Sequence, residues 1–168
     1  PEQLAWQNTL EELEHYASQL KNTYGDPNVH TVGYINDDIY EPVGIFCMRP
    51  LAEHPRGSEL QDVLDELNYS ERYAGEKAIV HSFCLLKAHR NLSILKYIFV
   101  TIALDAIQAD YRHLFFFMSD YRLKQIYSRY GLEFPADLKF RKSQHVVGCF
   151  SLNEDNLQRI RDFVAQND

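Results

Sequence analysis

Sulfur is scarce in this chain, with three cysteines and two methionines among 168 residues. Cys47, Cys84 and Cys149 stand singly inside apolar, strand-like runs. Neither Cys-x-x-Cys nor His-x-x-x-His occurs, so the ligand spacings of common metal sites are missing and no metal is expected. The thiols read instead as buried side chains of a reducing compartment, which makes the cytoplasm the expected location. Cations are in the minority, 17 Lys and Arg against 24 Asp and Glu, for a net charge of −7. A phosphate-backbone surface needs clustered Lys and Arg, and here they are scattered, so nucleic acid is excluded as a partner. A long hydrophobic run is missing too. The most apolar window, Leu92 to Ile107, is interrupted by Lys96 and Asp105 and falls short of the roughly 18 consecutive apolar residues of a membrane span. It reads as a buried helix. No signal-peptide pattern opens the chain, and no repeat or low-complexity tract interrupts it.

What is present suits one globular domain over residues 1–168, since 45% hydrophobic and 24% charged residues can enclose a single core. The opening PEQLAWQNTLEELEHYASQL sets Leu4, Leu10, Leu13 and Leu20 near helical spacing, which predicts an amphipathic helix. It begins abruptly and without Met, as a fragment or processed product would. HTVGYIND alternates apolar and polar residues, DDIYEP reads as a turn, and VGIFCMRP as a second strand, so residues 29–50 form a hairpin. A polar loop and a short helix, ELQDVLDEL, follow. Lys77 to Leu86 is apolar enough for the middle of a sheet. After it come the long helix and the strand His113 to Met118. A short helix over SDYRLKQIYSRY is then closed by Gly131. LKFRK and HVVGCFSL add two strands, and NEDNLQRIRDFVAQ a final helix capped by Asn153 or Asp155. The strand–helix–strand of residues 77–118 predicts a right-handed parallel crossover within a mixed α/β sheet.

Three stretches carry a resemblance. VGIFCM holds a Val-Gly pair on a strand, FCLLKAHRNLSIL runs from a central strand through a loop into a helix, and IYSRYGLEF closes a short helix. Over about residues 29–150 the chain resembles the GNAT superfamily of acyl-CoA-dependent N-acyltransferases. The resemblance implies a mostly antiparallel sheet with one parallel crossover, helices on both faces, and the absence of the usual first strand. A strand that ends near Leu85 and a helix that begins near Leu92 aim free backbone N–H groups at whatever lies above their junction, which suits a pyrophosphate. Leu85, Lys87, Arg90, Asn91, Leu92, Ser93 and Ile94 are the residues expected to hold it. The superfamily's Arg/Gln-x-x-Gly-x-Gly/Ala stands here as Arg90-Asn91-Leu92-Ser93-Ile94-Leu95, which keeps the arginine and replaces both glycines. Bulkier side chains crowd a coenzyme A diphosphate. The chain is in this respect similar to the branch that takes acyl groups from an acyl carrier protein, the acyl-homoserine-lactone synthases and long-chain N-acyl amino acid synthases. The donor implied is acyl-CoA or the acyl-phosphopantetheine of a carrier protein, and the acceptor a small-molecule or peptide amine.

Tyr127 matches the tyrosine of the superfamily's Leu-Tyr-x-x-x-Gly-Phe pattern, which in many members protonates the departing thiolate. A phenol suits that task because it donates a hydrogen bond without prior ionisation. The amine needs a general base, and the candidates on or beside the central strand are His81, Glu76 and, more remotely, His89. Cys84 as a nucleophile lacks an identifiable partner base, and direct transfer requires none. The expectation is thus an N-acyltransferase, with a catalytically degenerate GNAT-like module that binds a ligand or protein as the alternative.

Overall fold

The computed structural model describes residues 9–118, 122–138 and 145–166, and every absence or count below refers to those residues. Helix α1 (Leu10–Tyr24) starts in a reciprocal cap. Thr9 Oγ1 accepts the Glu12 N–H at 3.2 Å, and Glu12 Oε2 accepts the Thr9 N–H at 3.3 Å. It ends at Gly25, whose φ of 87° a residue with a Cβ would resist. Leu13, Tyr16 and Leu20 fall on one face and are buried, as the leucine spacing predicts. Leu4 lies outside the described residues.

Strands β1 (Val29–Asn36) and β2 (Ile39–Pro50) pair antiparallel, from Asn36↔Ile39 at the turn to Val29↔Cys47. The turn is shorter than DDIYEP. Asp37 and Asp38 alone make it, with φ of 49° and 63°, and Ile39 already belongs to β2. Two successive left-handed residues match the right-handed twist of the strands, and aspartate tolerates that region because its side chain bonds locally.

Beyond the hairpin come α2 (Gly57–Glu66), β3 (Lys77–Leu85), α3 (Leu92–Gln108), β4 (His113–Met118), α4 (Arg122–Ser128), β5 (Val146–Ser151) and α5 (Glu154–Gln166). The five strands form one sheet in the order β1-β2-β3-β4-β5, mostly antiparallel with one parallel pair. β4 and β5 pair antiparallel from His113↔Ser151 to Met118↔Val146. Asn153 is the cap of α5: its Oδ1 accepts the Asn156 N–H at 3.0 Å. The strand expected over LKFRK lies outside the described residues except for Leu138, a buried core residue. Residues 119–121 of the expected helix lie outside them as well. Among the described residues, no helix is long and apolar enough to cross a membrane.

The chain divides into two compact units, residues 1–48 with 80–101 and residues 49–79 with 102–168. The core of the first gathers Leu13, Tyr16 and Leu20 of α1 with Val29, Ile45, Cys47, Cys84 and Leu86. That of the second gathers Leu60, Val63 and Leu64 of α2 with Tyr73, Ile79, Phe115, Val147 and Cys149. All three cysteines are buried thiols, and burial pushes the Cys149 thiol up to about 12. Phe115 is core, while Phe116 and Phe117 are half-buried.

Candidate active site

Three consecutive half-buried residues, His81, Ser82 and Phe83, interrupt a strand that is otherwise buried from Ala78 to Leu85. Ser82, in the middle of them, has a left-handed φ of 54°. A serine inside a strand pays for that conformation with strain of order 1–3 kcal/mol unless its surroundings hold it there. Two contacts do. Ser82 Oγ lies 2.9 Å from Nδ1 of His81, and the same hydroxyl hydrogen-bonds the Tyr16 phenol of α1. Burial raises the affinity of that phenol for its proton, and the Ser82 bond opposes the rise. The His81 ring is half-buried with Nε2 enclosed, and it meets Tyr24, also on α1, edge-on at 4.8 Å between centroids.

Past Leu85 the chain turns through a short 3₁₀ segment, Lys87–His89, fixed to β2 by the Leu86 N–H donated to Val43 O at 2.8 Å. Gly44 permits this approach, because a Cβ there would lie 2.7 Å from Cys84 O and from a Leu85 methyl. Arg90 folds back so that Nε donates to Leu85 O at 3.0 Å. Asn91 caps α3, with Oδ1 accepting the Ile94 N–H at 3.0 Å, and the Leu95 N–H begins the helical ladder on Asn91 O at 3.0 Å. By helix geometry, Leu92 and Ser93 are then the N–H groups left directed out of the helix end. Lys87 is exposed beside them in sequence, and the Tyr34 ring of β1 lies 6.0 Å from that of His89. Leu85, Lys87 and residues 90–94 thus belong to one junction, and His81 lies on the strand that leads into it.

Glu76 is placed differently. It is exposed and precedes Lys77, so the whole of β3 separates it from the loop. Its carbonyl accepts the N–H groups of Arg112 at 2.8 Å and His113 at 3.3 Å. Tyr127 sits in the last turn of α4 and is half-buried. Burial pushes its phenol up to about 12, so the hydroxyl keeps its proton throughout the physiological range. The carbonyl of Tyr127 accepts the N–H groups of Tyr130 at 3.0 Å and Leu132 at 3.3 Å, and Gly131 with φ of 99° completes the exit from the helix. Among the described residues, no group of His, Cys, Asp and Glu could hold a metal ion.

No protein-family model matches the sequence, and no curated protein matches it either. Solved structures do match. One is FeeM, an N-acyl amino acid synthase from uncultured soil microbes, at 16% identity and a TM-score of 0.57 over 84% of this chain and 75% of that one. Another is an acetyltransferase of the GNAT family from Listeria monocytogenes, at 14% identity and a TM-score of 0.56 over 86% and 83%. A third, an uncharacterized protein from Bacillus halodurans, reaches a TM-score of 0.63 at 11% identity over 99% and 86%. The chain has the GNAT fold. Within this GNAT fold, His81, Leu85, Lys87 and residues 90–94 lie in the first unit, whereas Glu76 and Tyr127 lie in the second.

Ser82, Tyr16 and Tyr24 are absent from the sequence-derived candidates. Two tyrosines eight residues apart on an amphipathic helix read as ordinary packing, and nothing local marks a serine for the left-handed region. Only the packing of α1 against β3 brings the two tyrosines to His81 and Ser82.

Proposed function

We propose that the protein is an N-acyltransferase that moves an acyl group from a phosphopantetheine thioester, of coenzyme A or of an acyl carrier protein, to an amine of a small molecule or peptide. The observation that carries this reading is the β3–α3 junction. A helix start capped by Asn91, beside Lys87 and Arg90 at the end of a central strand, is where the phosphates of the donor would be held, on the N–H groups that helix geometry leaves at Leu92 and Ser93. The fold shared with FeeM and the Listeria acetyltransferase supports it. The amine nitrogen attacks the thioester carbonyl, a C–N bond forms and the C–S bond breaks. His81 accepts the proton lost by the amine, and Tyr127 donates a hydrogen bond and then its proton to the departing thiolate. Glu76 remains a second candidate base, set apart from the loop by β3. Carrier proteins are acidic, and Lys87, Arg90 and Lys96 are the clustered cations in the sequence that such a donor would meet. Ser93 and Leu95, which stand where the superfamily's pattern has glycines, favour donors longer than acetyl.

Thermal protection by a series of acyl-CoA donors, together with release of free thiol on adding amines, tests this reading. Donors should raise the melting temperature in the parent and not in Arg90→Glu, with the unliganded variant's own melting temperature as the folding control. Thiol release should increase from acetyl to longer chains. Protection without any thiol release, from acyl-CoA or acyl-carrier donors, would instead establish a binding module. Undiminished protection of Arg90→Glu would remove the anion site.

A further inference from the structure

Tyr127 is the last residue but one of α4, and a helix end frays unless its final carbonyls are bonded, so the exit from the helix decides where the phenol stands. That exit is tied down twice. The N–H groups of Tyr130 and Leu132 both end on the Tyr127 carbonyl, and the next residue, Glu133, exchanges two backbone hydrogen bonds with Cys149 of β5, at 2.8 Å and 2.9 Å. We propose that Arg72 and Tyr69 are positioning residues for Tyr127: from the segment between α2 and β3 they clip both ends of residues 133–137 and so fix the chain that leaves α4. The inference rests on the reading of Tyr127 as the group that meets the departing thiolate.

Two side chains of one segment close on two carboxylates of the other. Arg72 Nη2 meets Glu133 Oε2 at 2.8 Å, and the Tyr69 hydroxyl donates to Asp137 Oδ1 at 2.7 Å. The arginine is held before it reaches its partner. Its guanidinium carbon lies 5.3 Å from the centroid of the Tyr73 ring and 5.5 Å from that of Tyr69. Tyr73 is fully buried and meets His113 and Phe115 edge-on at 5.4 Å and 5.5 Å, so the ring beneath the guanidinium is anchored in the core. The clip thus transmits a core position to an exposed segment. Arg72 and Glu133 each keep 48% of the side chain exposed, and an ion pair so placed adds little to stability. Its geometric effect is larger, because a misplacement of about 1 Å at a reacting group can cost about 10²-fold in rate. A shift of Glu133 is carried by Leu132, the adjoining residue, to the Tyr127 carbonyl that its N–H holds at 3.3 Å.

Protein labelled with fluorotyrosine gives a readout that needs no turnover. The Tyr127 fluorine resonance, assigned by its loss in Tyr127→Phe, should move in Arg72→Gln and in Tyr69→Phe, and a resonance that stays in place in both overturns the proposal. With an acyl donor and an amine that the parent turns over, each substitution should lower kcat by about 3- to 10-fold, a part of what full misplacement costs, and leave the donor's dissociation constant and the melting temperature nearly unchanged. Arg72→Lys keeps the charge without the planar fork and should retain more of the turnover than Arg72→Gln. On the Tyr127→Phe background neither substitution should lower kcat further, because the group that they position is gone. A loss of equal size on both backgrounds marks a merely structural role and overturns the proposal. Tyr127→Phe alone separates this failure from that of the functional reading: undiminished transfer in that variant overturns the role of Tyr127 itself, and this inference with it.

Discussion

Burial sets the proton state of the Tyr127 phenol, the group proposed to meet the departing thiolate. A phenol pushed up to about 12 is never lost as a donor at working pH, but it is also a poor acid in the resting protein. In the proposed role its contribution would arise where thiolate charge develops, as a hydrogen bond that tightens in the transition state. Tyr127→Phe should lower turnover about 10²-fold while leaving the donor's dissociation constant and the melting temperature nearly unchanged. Tyr130→Phe is the control and should change turnover little. Steady-state kinetics with thermal shift on the same preparations decides it, and equal turnover of Tyr127→Phe and parent would leave the tyrosine as packing. The sequence pattern around Ile126-Tyr127 made this residue visible. It gave no sign of Tyr16 and Ser82, which meet only once α1 packs against β3.

At the scale of elements, the site depends on β2 and β3 approaching closely enough for Leu86 to bond Val43. Gly44 is where that approach is tested. An added Cβ would meet the Cys84 carbonyl, which is backbone and cannot swing away. Gly44→Ala should destabilise the protein by about 1–3 kcal/mol, read from the denaturation midpoint, and should weaken donor protection further because the loop 87–91 starts from the displaced strand. A variant as stable as the parent would show that the strands can separate there at no cost. The elements themselves were largely legible in the sequence. α1, the hairpin, β3, β4 and α5 rest on apolar spacing and caps that act over one or two turns of chain. The hairpin turn was read too long, since the two-residue Asp37–Asp38 turn depends on both residues being left-handed, and the aspartates look the same in a longer loop. The roles of Arg90 and Asn91 could not be divided by spacing either. Both are polar residues before a helix, and only the backbone path sends one to Leu85 O and the other to the Ile94 N–H.

At the scale of the whole molecule, two histidines whose charged form burial disfavours tie stability to pH. His54 has its Nδ1 2 residues from the Arg56 N–H that it accepts at 3.0 Å, and burial together with Arg49 and Arg56 pushes it down to about 4. Burial likewise lowers His113, which bridges Ser151 Oγ at 2.8 Å and Ala74 O at 3.0 Å. The folded state thus refuses protons that the unfolded chain accepts below its ordinary histidine value near 6.5. Stability should accordingly be full above that pH, fall as pH drops towards about 4, and level off for this residue below. His54→Asn keeps an acceptor for the Arg56 N–H and removes the titration. Its urea midpoint should change less than the parent's between pH 7 and pH 4.5, and an identical loss in both would place the acid sensitivity elsewhere.

The sequence by itself determined a chain of ordinary polarity with buried thiols, the order of helices and strands, and the loop and tyrosine that resemble those of GNAT enzymes, because composition, periodicity and capping are local properties. Tertiary structure decided where the polar atoms go. Tyr24 of α1 meets His81 of β3, Arg90 turns back onto β3, and Gly44 admits Leu86 to Val43. Each of these joins groups from separate elements, and a hydrogen bond of that kind exists only once packing has fixed both partners within about 3 Å of each other.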